Sequence, residues 1–132
     1  MTDDKAGERD TRPGKPKGRA RADKYQFGVE KGQAWVRGDG GFPRALPSEI
    51  KKLRQFWRTT PGRNMFWFPR AVGWQWRDYL YIAMQPWKVG KLHESAKFWA
   101  ALGLESDSED VAFLSGFVDG ALGVAGPDLD VV

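Results

Sequence analysis

Residues 106–125 read SDSEDVAFLSGFVDGALGVA, and this stretch decides the fold. Ser106 and Glu109 have the spacing of a capping box, and Glu109 and Asp110 fall in a first turn, where the helix dipole favours carboxylates. They predict a helix that begins at Ser106 or Asp107. Val111, Phe113, Leu114, Phe117, Val118, Ala121, Leu122 and Val124 cover most of its sides, with Ser115 and Asp119 as polar exceptions. A helix apolar nearly all round requires burial on more than one side. Gly116 and Gly120 stand four apart, so part of its surface is a groove that lets another backbone approach.

The matching groove lies near the other end of the sequence. Asp23 and Gln26 repeat the capping-box spacing, and Gly38 stands where a helix C-terminal glycine belongs. Between them Tyr25, Val29 and Gly32 share one face, extended by Trp35 or Val36. Gly28 and Gly32 are again four apart. Each interior glycine costs a helix about 0.5–1 kcal/mol against alanine, and a close crossing of the first and last helices would account for that cost. Gly28, Gly32, Gly116 and Gly120 are therefore the expected crossing residues.

Three further segments complete the domain. Pro47 and Ser48 open a helix with Ser48 as the expected N-cap, and Thr60, Pro61 and Gly62 close it. Ile50, Leu53, Phe56 and Trp57 form its apolar stripe, with Lys51, Lys52, Arg54 and Arg58 largely off it. Lys91 to Leu102 predicts another helix, burying Leu92, Ala96 and Trp99 and ending before Gly103. Residues 65–86 admit two readings. Met65–Phe68 is a short extended segment, after which Pro69 starts a helix carrying Val72, Trp76, Tyr79 or Leu80, and Ala83. Alternatively 65–68 and 79–84 pair as strands, giving an α+β fold with a small hairpin at 65–84. Arg77 and Asp78 interrupt any period of two and favour helix, whereas Gly73 weakens it. The expected architecture is all-α: about five short helices over residues 23–125, a disordered tail at 1–22 and a frayed acidic end at 126–132. The tail is polar and contains no aromatic or branched apolar anchor, so it cannot repay the entropy of ordering.

Composition narrows the chemistry. The 132 residues contain no cysteine and one histidine, which excludes disulfides, thiol catalysis and cysteine-based metal sites. His93 has no second histidine to complete a zinc site, and its neighbour Glu94 points elsewhere on a helix. No metal and no cofactor are expected, no catalytic residue is assigned, and the chain reads as non-enzymatic. Arg37-Gly38-Asp39 is too short a match to carry meaning, and the glycines at 38, 40 and 41 lack the lysine of a phosphate-binding loop. There is no apolar run of membrane-spanning length and no apolar core of a signal peptide, so a cytoplasmic protein is expected.

Charge and aromatic content define the partner classes. Blocks 1–24, 25–60 and 61–99 carry +3, +4 and +4, and residues 100–132 carry −7. The acidic end either folds back on the basic body or leaves it open to an anion. The favoured function is a protein-interaction or assembly factor, through a foreign partner or self-association. Phe113, Leu114, Phe117, Val118, Trp74 and Trp87 are its candidate interface residues, because a small domain has little capacity to bury so many large rings. The alternative is a nucleic-acid-binding protein. It would use Lys51, Lys52, Arg54, Arg58, Arg63, Arg70 and Arg77 against phosphates, with aromatics such as Trp74 and Trp76 available for stacking.

Overall fold

A computed structural model describes residues 17–39, 41, 43–59, 64–67, 73–105 and 110–126. Five helices account for most of them: α1 (Lys17–Arg37), α2 (Pro47–Arg58), α3 (Trp76–Met84), α4 (Leu92–Ala101) and α5 (Val111–Ala125). Single 3-10 turns at Met65–Trp67 and Pro86–Lys88 join them, and no strand occurs among the described residues. The chain forms an all-α domain.

The hairpin alternative at 65–84 is thereby corrected. In α3, Leu80, Tyr81 and Met84 fall on one helical face and all three are buried. A strand would turn Leu80 and Tyr81 to opposite sides. The helix begins at Trp76, and Gly73 stands outside it at φ +84°. The proposed start at Pro69 lies outside the described residues.

Three helix starts also differ from expectation. The first helix begins at Lys17, so Asp23 is interior and Gln26 reaches along the helix to Glu30 at 3.5 Å. Residues 17–22 of the expected tail are therefore helical, while 1–16 lie outside the described residues. The N-cap of α2 is Leu46, not Ser48, with Pro47 as its first helical residue. The last helix starts at Val111 on an Asp110 cap, whose carboxylate accepts from Phe113 N at 3.2 Å. Ser106 and Glu109 lie outside the described residues, as do 127–132 of the acidic end. The C-terminal signals fare differently. Leu104 N donates to Trp99 O at 2.9 Å and Gly103 N to Ala100 O at 3.0 Å, a Schellman closure of α4 with Gly103 at φ +101°.

The first and last helices cross through glycine. A Cβ placed on Gly28 would stand 2.1 Å from the carbonyl oxygen of Phe113, and one on Gly32 equally close to that of Phe117. Reciprocally, Gly116 faces the carbonyl of Tyr25 and Gly120 that of Val29. Numbers rise together on both helices, so α1 and α5 run parallel. Lys24, 3.4 Å from Asp110, and the Tyr25 hydroxyl, which donates to Asp119 at 2.5 Å, flank the seam. Backbone-to-backbone approach of this kind suits Cα–H···O contacts, which recur at helix interfaces.

The other side of α5 meets an aromatic cluster. Phe117 lies 5.1 Å from Trp35 and 4.9 Å from Trp99 between ring centroids, and Phe98 lies 4.8 Å from Trp99 in edge-to-face geometry. Such pairs add about 0.5–1.5 kcal/mol beyond their area. A polar latch joins α3 to α4 beside this cluster. Buried Asp78 accepts from Gln75 N and from Ser95 Oγ, each at 2.8 Å, and Trp99 Nε1 donates to Arg77 O at 2.9 Å.

Candidate functional site

Pro47 and Glu49 fix the wall of an open cleft. Proline at the first helical position sacrifices no hydrogen bond, and Glu49, two residues on, turns back so that its Oε1 accepts from Leu46 N at 2.8 Å. Only this half of a capping box exists, since leucine has no side-chain acceptor. The loop before it is anchored by Ala45 N donating to Trp35 O at 2.9 Å. Leu46 is left 55% exposed.

The opposite wall comes from the end of α3 and from α4. Tyr81 and Gln85 project from α3 and its cap, Lys88 from the following turn, and Glu94, Lys97 and Phe98 from α4. Together with Pro43, Arg44, Leu46 and Glu49 they enclose about 410 Å³, within the range of ligand-holding clefts, roughly 300–1,000 Å³.

The charges in the cleft are unequally matched. Glu49 is buried and its other oxygen accepts from Gln85 Nε2. Burial pushes its carboxyl above the ordinary value, opposed by the Leu46 amide, Lys88 and Gln85. Lys88 Nζ donates to Glu94 Oε1 at 2.6 Å, which raises the lysine and lowers the glutamate. Arg44 lies against the Gly38 turn and makes no ion pair among the described residues, nor does Lys97. Two cations on the wall therefore stand without a carboxylate among the described residues.

Three large apolar side chains stand out as the most exposed of the described residues. Trp87 is 58%, Val89 57% and Leu46 55% exposed. Leu46 lines the cleft, and Trp87 and Val89 bracket Lys88 in sequence.

Of the interface residues read from the sequence, Trp87 alone is fully on the surface. Phe113, Leu114, Phe117 and Val118 are at most 2% exposed. They are corrected to core residues, because α1 covers one side of α5 and the aromatic cluster another. Trp74 is half-buried and packs on Tyr79 at 4.8 Å.

The basic set is dispersed. Arg77 is buried, with one guanidinium nitrogen donating to Glu105 O at 3.3 Å and Nε 3.8 Å from Asp78, so it is removed from the phosphate-contact residues. Arg54 donates to the Gly126 carbonyl at 2.9 Å. Lys51 and Arg58 are exposed and Lys52 is half-buried, while Arg63 and Arg70 lie outside the described residues. His93 is on the surface, 4.0 Å from Glu94.

Sequence reasoning passed over Arg44, Leu46, Gln85 and Lys97. Leu46-Pro47-Ser48-Glu49 did hold a signal, since proline at the first helical position with glutamate two residues later places an apolar residue at the cap. Among the described residues no three histidine, aspartate or glutamate side chains are grouped to hold a metal, and no helix is long and apolar enough to cross a membrane. Comparison with protein-family models, curated proteins and solved structures finds no match to this chain.

Proposed function

We propose that this protein is a small non-enzymatic interaction or assembly factor, and that its contact surface is the cleft and its apolar border. One observation carries the reading: of the three most exposed large apolar residues described, Leu46 lines the cleft, and Trp87 and Val89 flank the lining residue Lys88 in sequence. Protein interfaces concentrate binding energy in a few aromatic and apolar anchors around which water is excluded. Trp87 has the character of such an anchor, and Leu46 offers a second apolar contact on the cleft itself.

The test compares wild type with the double variant L46S/W87A. Both side chains are more than half exposed, and surface substitutions of this kind usually stay within about 0.5 kcal/mol of wild type. The variant is therefore expected to melt like wild type. Cross-linked capture with mass measurement is expected to retain a protein partner, or a second copy, on wild type only. Equal retention by the two proteins, or no retained protein on wild type, refutes the reading.

A further inference from the structure

We infer that the cleft takes an acidic segment of a partner protein, one that carries an apolar side chain between carboxylates. The inference rests on the interaction reading above and names the chemistry of the partner. Leu46 offers exposed apolar surface on the cleft, and the buried Pro43, Tyr81 and Phe98 line it behind, a setting for an apolar side chain. The charged residues then divide into satisfied and unsatisfied groups. Glu49 is held by the Leu46 amide and Gln85, and Lys88 by Glu94. Arg44 and Lys97 have no ion pair among the described residues and stand on the wall of the same cleft.

Carboxylates are the complement of two such cations, and arginine in particular receives a carboxylate through paired hydrogen bonds. A phosphate chain suits the cleft less well. Glu49 and Glu94 lie within it, and a continuous polyanion would run against both, whereas separate carboxylates can be spaced to meet Arg44 and Lys97 alone.

The probes are three pools of labelled, end-capped octapeptides, each with a central leucine, isoleucine, phenylalanine or methionine. Its flanking residues are acidic in the first pool, neutral amides in the second and basic in the third. Fluorescence anisotropy is read with the full chain, with R44E/K97E and with L46S/W87A. Two carboxylate contacts at a partly exposed site change affinity about tenfold together. The acidic pool is expected to bind wild type about tenfold tighter than the neutral pool. R44E/K97E is expected to abolish that preference while keeping the wild-type circular dichroism spectrum, and added salt to narrow it.

Equal binding of acidic and neutral pools, an unchanged preference in R44E/K97E, or no binding of any pool overturns the inference. So does displacement of the acidic pool by a single-stranded oligonucleotide of equal charge. A chain shortened after Gly126 that binds the acidic pool about tenfold tighter than the full chain assigns the cleft to the protein's own acidic end, and also overturns it. The two failures are distinguishable. A captured partner lost in L46S/W87A but indifferent to R44E/K97E removes the acidic segment and leaves the interaction surface standing; absence of any captured partner removes the surface itself.

Discussion

Replacing Gly28 by alanine tests the crossing of α1 and α5 most directly. The added carbon would lie 2.1 Å from the Phe113 carbonyl oxygen and 3.0 Å from Phe117 N, where ordinary contact begins at 3.4 Å. The obstruction is backbone, which cannot swing aside like the end of a side chain. Relief requires the two helices to part by about 1 Å or more over the seam, which loosens the facing positions Gly32, Gly116 and Gly120 as well. Overpacking of this type costs about 1–3 kcal/mol or more, against a helix-propensity gain of at most about 1 kcal/mol. The net expectation for G28A is a loss of about 1–2 kcal/mol. Gly123 supplies the control: it is in α5 too, but a Cβ there meets nothing within 4 Å. G123A therefore gains propensity alone and is expected to stabilise by about 0.5–1 kcal/mol. Urea unfolding followed by circular dichroism reads both. At about 4–8 °C per kcal/mol for a domain near this size, thermal midpoints also separate them. Shifts of the same sign for G28A and G123A would refute the close backbone contact.

E49Q probes the buried carboxyl of the cleft. Burial raises its folded-state pKa above 4.5, so the unfolded chain releases the proton first and wild-type stability falls as pH climbs through the range just above that value. Glutamine does not titrate, and E49Q is expected to gain on wild type through that range and hold its gain to neutral pH. Lys88, raised above its ordinary value, stays charged across this range, so a thermal-midpoint difference that stays flat or shrinks from pH 4 to pH 8 contradicts the account. S95A removes the hydroxyl that donates to Asp78 in a fully buried setting. A buried acceptor deprived of its donor costs about 1–3 kcal/mol, more if charged, and denaturant unfolding at neutral pH that shows no loss would contradict the latch.

Local signals were readable wherever one short segment carried them. The stripe on α2 places Leu53 in the core with Ile50, Phe56 and Trp57 packed against it, and Gly38 and Gly103 stand at positive φ just past α1 and α4. The four-residue glycine spacings coincide with the seam because only glycine gives so flat a surface on two faces at once. Asp23 shows where such reading stops: its capping pattern is outweighed by the preceding Arg19-Ala20-Arg21-Ala22, all good helix formers. Phe113 and Phe117 could not be sorted into core or interface from α5 alone. Their burial depends on Trp35 and Trp99, which arrive from α1 and α4. The cleft was hidden for the same reason. Its walls come from the loop before α2, the end of α3 and α4, and the loop and α4 each bring only one of the two cations, Arg44 and Lys97.

The parallel seam between α1 and α5 also sets a schedule for synthesis. Its facing residues lie about 90 positions apart, as Tyr25 and Gly116 do. Everything between them must be made before either glycine face is covered. At about 5–20 residues per second, α1 waits several seconds on the ribosome with Gly28, Gly32 and Trp35 unburied. The other helices cannot close around Phe117 until α5 has been made. Contacts so distant in sequence slow folding relative to helical domains built from neighbours. A nascent chain halted before Val111 would lack the surface on which α1 docks, and would present Trp35 and Trp99 to chaperones instead.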